Sequence, residues 1–202
     1  GEGAIKTARK HAYEHISKKK NEIVSFSDAF HGRTMMAIAL NGSDRFVKGF
    51  GPMPSGIKNH PFNETKNLEK VITKNTAAVI IELVQGEAGI IKAKKDFIQK
   101  IKKLCKQNKV LMIVDEVQSG AGRTGTLFAY EQFGIKPDIM CCAKGIGGGI
   151  PIAAILTTTK IAQCMQLGSH GTTFGGNPLA CAVAEQVMTL LTKKTLLNGV
   201  KK

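Results

Sequence analysis

No tryptophan occurs in the 202 residues, and aromatic side chains make up only 5% of them. RNA-binding sheets stack bases on exposed aromatics, and no such motif is present. Acidic residues are also scarce: 15 stand against 29 basic ones, a net charge of +14. That excess invites a nucleic-acid partner, but the lysines are spread along helices and tails rather than gathered in one block. A solvated lysine face and no nucleic-acid partner are therefore expected; a basic nucleic-acid-binding module is the alternative from another class. The five cysteines, Cys105, Cys141, Cys142, Cys164 and Cys181, form no C-x-x-C and no zinc-ligand spacing exists, which excludes zinc fingers and dithiol redox motifs. Reduced thiols in a cytoplasmic protein are the expectation. No apolar run reaches membrane-spanning length and no secretory leader is recognisable, so no membrane partner is expected. The first residue is Gly1 rather than methionine, which reads as a processed start or a piece of a longer chain.

What is present is enough apolar material, 43% of residues, to bury a core of one domain or somewhat more. The chain centres on Pro137-Asp138-Ile139-Met140-Cys141-Cys142-Ala143-Lys144-Gly145-Ile146-Gly147-Gly148-Gly149. Ile139 to Ala143 reads as a buried strand, ending on one lysine and a glycine-rich turn. An ammonium at the inner end of a buried strand tends to lose its proton, and a neutral lysine amine can condense with a carbonyl compound.

The remaining pattern alternates helix and strand. A helix is expected over Glu2–Lys20, a strand over Glu22–Phe26 and a short helix over Thr34–Leu40. Asn41 to His60 reads as irregular. A helix over Glu64–Thr73 capped by Asn63, a strand over Ala77–Leu83 and a helix from Asp96 follow. Val110–Val114 is an apolar strand ending at Asp115, and Gly120–Gly125 is a glycine-rich loop before a short helix over Leu127–Phe133. A strand over Ile152–Thr157 and a helix over Lys160–Leu167 precede the helix that Asn177-Pro178 opens. Strands apolar on both faces and interleaved with helices imply an α/β domain with a mostly parallel sheet. Ligands of such sheets bind beyond the carboxyl ends of the strands, where Glu82, Asp115 and Lys144 are all expected.

A carboxylate behind five apolar residues needs a cationic or donor partner. For Asp115 that partner could be Lys144, as a plain ion pair. A ligand with a protonated ring nitrogen would serve as well and leave the lysine free to react. A pyridine ring carrying an aldehyde meets both demands, which points to pyridoxal 5'-phosphate.

Four stretches in this order carry a resemblance: Ala29-Phe30-His31-Gly32-Arg33-Thr34, Asp115-Glu116-Val117-Gln118-Ser119-Gly120-Ala121-Gly122-Arg123-Thr124-Gly125, the Lys144 segment, and Gly171-Thr172-Thr173-Phe174-Gly175-Gly176-Asn177-Pro178. Together they resemble the class III, fold-type I aminotransferases that use pyridoxal phosphate, the acetylornithine and ornithine aminotransferases most of all. The resemblance implies that Lys144 binds the cofactor and moves a proton, while Asp115 holds the ring-nitrogen proton. It places Val117 and Phe30 on the two ring faces, Gln118 at the phenolic oxygen, and Glu116 among the cofactor-binding residues. It gives Thr173 the phosphate of the neighbouring subunit in a homodimer. It sets Arg33, Thr172 and Glu87 near substrate, with Glu82 behind them. His31 receives no catalytic role, and Arg123 is read as pinning its loop. The implied reaction passes the ω-amino group of N-acetylornithine or a similar donor to 2-oxoglutarate, in arginine biosynthesis; ornithine or 4-aminobutyrate is the alternative donor. Family members carry a Ser-Gly-Ser/Thr-Glu phosphate loop just ahead of the first helix here, an amino-terminal segment, and a carboxyl-terminal small domain. Residues 1–202 are thus expected to be the central part of the large cofactor domain, without those segments and possessing little activity alone.

Overall fold

A computed structural model describes residues 1–201. In chain order its elements are α1 (Glu2–His15), β1 (Glu22–Phe26), α2 (Met35–Leu40), α3 (Asp44–Val47), β2 (Ile57–His60), α4 (Leu68–Val71), β3 (Thr76–Ile81), β4 (Val84–Gln85) and β5 (Ile91–Lys92). There follow α5 (Lys95–Asn108), β6 (Leu111–Asp115), a 3-10 turn at Ala129–Phe133, β7 (Ile139–Cys142), a second at Lys144–Gly147, β8 (Ala154–Thr157), α6 (Thr159–Ala162), α7 (Pro178–Leu191) and α8 (Lys194–Val200). Six strands form one sheet in the order β2-β1-β3-β6-β7-β8. All neighbours run parallel except β7 and β8. This is the expected α/β class, with an antiparallel strand at one edge.

The strand repeat of two sorts the core into two layers. Val24, Val79, Met112 and Val114 pack against Phe97, Ile98 and Ile101 of α5. Ile23, Ile80, Ile113 and Ile139 pack on the other face against Ala4, Ile5, Ala8 and Ala12 of α1. Helices on both faces leave the strand ends as the place where polar groups can gather. All five cysteines are free, and only Cys181 is exposed. No helix of the described residues is long and apolar enough to cross a membrane.

Several local expectations need correction. Helix α1 ends at His15, not Lys20. Beyond it the chain turns so that Lys20, 2% exposed, donates to the carbonyls of Lys74 (3.1 Å), Thr76 (2.6 Å) and Asn108 (2.9 Å). The stretch expected to be irregular contains α3 and the parallel strand β2. One apolar residue in Ile57-Lys58-Asn59-His60 hides the strand; pairing with β1 makes it. The helix expected from Glu64 is only the turn α4. Asn63 does not cap it but sits at φ +61° and binds the Lys92 carbonyl and the Lys94 amide instead. Asn177 does cap α7, accepting from the Ala180 amide at 2.9 Å.

Lys20 carries a stability prediction. Lys20→Met in the full-length protein leaves three carbonyls without their charged donor and should cost about 3 kcal/mol. The urea midpoint at constant slope measures it; an unchanged midpoint would mean that water replaces the ammonium at no cost.

Candidate active site

Three consecutive central strands deliver chemistry to one edge. Glu82 directly follows β3, Asp115 closes β6, and Lys144 stands two residues beyond β7. Asp115 is 3% exposed. One carboxylate oxygen meets His31 Nδ1 at 2.9 Å and the other accepts from the Val117 amide at 3.1 Å. Burial pushes this carboxyl up, but the hydrogen bond and charge of His31, with the Val117 amide, leave it below the ordinary aspartate value. An ionised carboxylate only accepts, so the shared proton sits on Nδ1. Each carboxylate oxygen keeps a second lone pair for another donor. The buried Nε2 of His31 has no hydrogen-bond partner among the described residues.

His31 is the residue that the sequence reading undervalued. The signal was available: an aspartate behind an apolar strand needs a donor, and a histidine lies within the Phe-His-Gly-Arg motif. The ion pair between Asp115 and Lys144 is not formed. Lys144 instead donates to Gln118 Oε1 at 3.3 Å. It is exposed, correcting the expectation of a lysine shut away at the inner end of a strand. Cys142 ends β7, and Lys144 begins the following turn at φ +47°, in the left-handed region that a side chain seldom occupies.

A cavity of about 440 Å³ opens beside it, lined by Val84, Val117, Gln118, Arg123, Lys144 and Gly145 among others. The volume suits a small-molecule site. The Gln118 amide packs directly over Gly86: a Cβ there would lie 2.1 Å from Nε2, so any larger residue would displace the Gln118 side chain. Asp115 does not line the cavity; it sits behind Val117, tied to that residue's amide.

The other expected site residues divide. Glu116, 2% exposed, spends both oxygens on its own loop, accepting from Ser119 Oγ (2.7 Å) and the amides of Ala129 (3.1 Å) and Tyr130 (2.8 Å). Burial raises its pKa, against those donors. The structure thus gives Glu116 a loop-holding role rather than a cofactor contact. Glu82, 5% exposed, accepts from the Phe30 amide at 2.8 Å, and burial, aided by Asp115, raises its pKa. It therefore fixes the Phe-His-Gly-Arg segment over the sheet edge. Phe30 and Arg33 join that edge but do not line the cavity: the Phe30 ring lies 5.9 Å from Phe46, and Arg33 stands over both rings at 5.2 and 5.4 Å. Glu87 is exposed in the turn between β4 and β5. Thr172 and Thr173 are exposed in the loop before α7 and do not line the cavity either.

Comparison with known proteins gives one direction. The family model for aminotransferase class-III matches residues 1–202. A succinylornithine transaminase of Yersinia pseudotuberculosis serotype O:1b (strain IP 31758) is 48% identical over 206 residues, covering 99% of this chain and 50% of the relative. An acetylornithine/succinyldiaminopimelate aminotransferase of Buchnera aphidicola subsp. Acyrthosiphon pisum (strain APS) is 48% identical over 201 residues, covering 100% and 49%. Among solved structures, the ornithine aminotransferase of Toxoplasma gondii ME49 superposes with a TM-score of 0.92 at 35% identity, over 98% of this chain and 48% of that one. The chain spans about half the length of the curated relatives it matches.

Proposed function

The chain belongs to the aminotransferase class-III family, and on that premise we propose that it is the central part of the large domain of a transaminase acting on ornithine-type donors. The carrying observation is the buried Asp115–His31 pair at one strand end, next to a cavity that holds the lysine of the adjacent strand. The residues fit pyridoxal phosphate: an ionised buried carboxylate with unused lone pairs lies behind Val117, and an accessible amine stands within the cavity. Bound there, that cofactor supplies an aldehyde that takes up the donor's amine and a ring that stores electrons.

The chain's own groups do the rest. Asp115 keeps a proton on the ring nitrogen, and His31 holds that carboxylate ionised and oriented. Lys144 would hold the cofactor through its amine and, once released by a donor, would use that same amine to carry a proton. Val117 forms one wall of the slot; Phe30, which packs on Phe46 at the same sheet edge, would have to turn toward the cavity to cover the other ring face. Gln118, whose Oε1 is engaged by Lys144, has its amide NH₂ left for the phenolic oxygen. Arg33, Glu87 and Thr172 serve the substrate, and Thr173 serves the phosphate of a second copy.

A homodimer with shared sites is supported by α7, whose fourteen residues are largely apolar while only Ala180 is buried. Phe174 just before it and Leu179 in its first turn are 80% and 69% exposed. The relatives' names support N-acetylornithine or a succinylated analogue as donor; 2-oxoglutarate as acceptor, a place in arginine biosynthesis and a cytoplasmic location complete the proposal and rest on the family resemblance alone. The test is the full-length protein with added pyridoxal phosphate. A visible absorption band should form and change on adding acetylornithine, with glutamate appearing once 2-oxoglutarate follows. A band that responds only to ornithine or 4-aminobutyrate moves the donor, and no band at all rejects the proposal.

A further inference from the structure

Arg123 sits in the glycine-rich loop between β6 and the Ala129–Phe133 turn, where the sequence suggests that it pins the loop. The loop is held without it. The Gly122 amide donates to the Leu127 carbonyl (3.0 Å), Arg123 to Gly120 (3.3 Å) and Gly125 to Gly122 (3.0 Å). Gln132 Nε2 bonds the Thr124 carbonyl at 2.9 Å and Thr126 Oγ1 at 3.0 Å. Gly122 and Gly125 supply the positive φ angles of +81° and +85° that the path needs. The Arg123 guanidinium itself is exposed and makes no hydrogen bond or ion pair among the described residues.

It lines the same cavity as Lys144, and none of the residues lining that cavity is an aspartate or glutamate. The cavity therefore presents two basic side chains and no acidic one, with Val84, Ile90 and Val117 as apolar wall. An anionic group with a short carbon body fits this lining. Phosphate sites are usually built from converging backbone amides. Here the amides of Gly122, Arg123 and Gly125 are all used within the loop, so what this loop offers the cavity is the planar guanidinium fork of Arg123. That fork matches the two oxygens of a carboxylate.

Resting on the transaminase reading, we propose that Arg123 receives a carboxylate of the reacting compound, either the amino donor or the 2-oxo acid acceptor. Its carboxylate is held at Arg123 while its amine or carbonyl end reaches the cofactor position beside Lys144. The test compares full-length wild type with Arg123→Gln and Arg123→Lys. KM for one substrate should rise about tenfold or more in Arg123→Gln, outstripping any fall in kcat. Arg123→Lys, which keeps the charge but not the fork, should fall between. Varying the donor at saturating 2-oxoglutarate, and the reverse, tells which carboxylate is held. Glutarate binding to cofactor-free protein, followed by calorimetry, should weaken by a similar factor in Arg123→Gln. Wild type that binds no glutarate, or variants that bind it as tightly, overturn the proposal. So does a lower melting temperature with unchanged KM values, or weaker pyridoxal phosphate binding with unchanged KM values. Wild type that binds glutarate through Arg123 yet transfers no amino group overturns the transaminase reading alone.

Discussion

Replacing Lys144 with alanine in the full-length protein should lower kcat/KM by about 10⁴-fold or more, because on the proposed function one amine holds the cofactor and moves the proton. The fold should survive the change. Lys144 is exposed and its single hydrogen bond, to Gln118, is also exposed. Its φ of +47° costs an alanine as much as a lysine, so backbone strain cancels in the comparison. The melting temperature should therefore stay within a few degrees, and the absorption of the lysine-bound cofactor should vanish. Added methylamine should restore part of the turnover, by replacing the lost amine chemically. A variant keeping a tenth of the wild-type rate would remove Lys144 from the mechanism.

Asp115→Ala should affect both rate and stability. Losing the carboxylate proposed to hold the ring proton should slow turnover by about 10²- to 10³-fold, the scale seen when one preorganised electrostatic contact is removed, while some cofactor still binds. The fold should lose about 3 kcal/mol, since His31 is left buried without its acceptor. The pH dependence has a definite sign. Folding lowers the Asp115 pKa, so the native state binds fewer protons than the unfolded chain near the ordinary aspartate value. Its stabilisation is present above about pH 4 and is lost as pH falls through the lower folded value. Denaturant midpoints from about pH 5 down to about pH 2 should show wild type and Asp115→Ala converging in acid. In the His31→Ala background the same substitution should cost less, because the two side chains act as a pair. Equal costs in both backgrounds would separate them.

Much of this site is legible from residue order. Apolar runs that stop at Asp115 and before Lys144 mark strand ends, and parallel strands bring their carboxyl ends to one edge. That Asp115 needs a donor, and that His31 is one candidate, can be read from the sequence; that the two meet cannot, because they lie 84 positions apart and only the sheet order brings them together. Glu116 could not be told from a ligand-facing residue in the sequence. Its neighbours Asp115 and Val117 border the site, and only the path of the Ala129–Tyr130 segment shows which way its oxygens are used. The glycine loop reads as pinned by Arg123, whereas the hydrogen bonds of Gln132 hold it and leave the guanidinium without a partner among the described residues.

The amino-acid order by itself determined the layered α/β class and the two acids and lysine at the strand termini, because burial on both faces and the repeat of two are local properties. The three-dimensional arrangement alone decided the histidine behind the aspartate, the accessible position of the lysine, the buried ammonium of Lys20 under three carbonyls and the edge strand at Ile57–His60. Each of these depends on a partner distant in the chain, and hydrogen bonds between distant segments leave no periodic trace in a sequence.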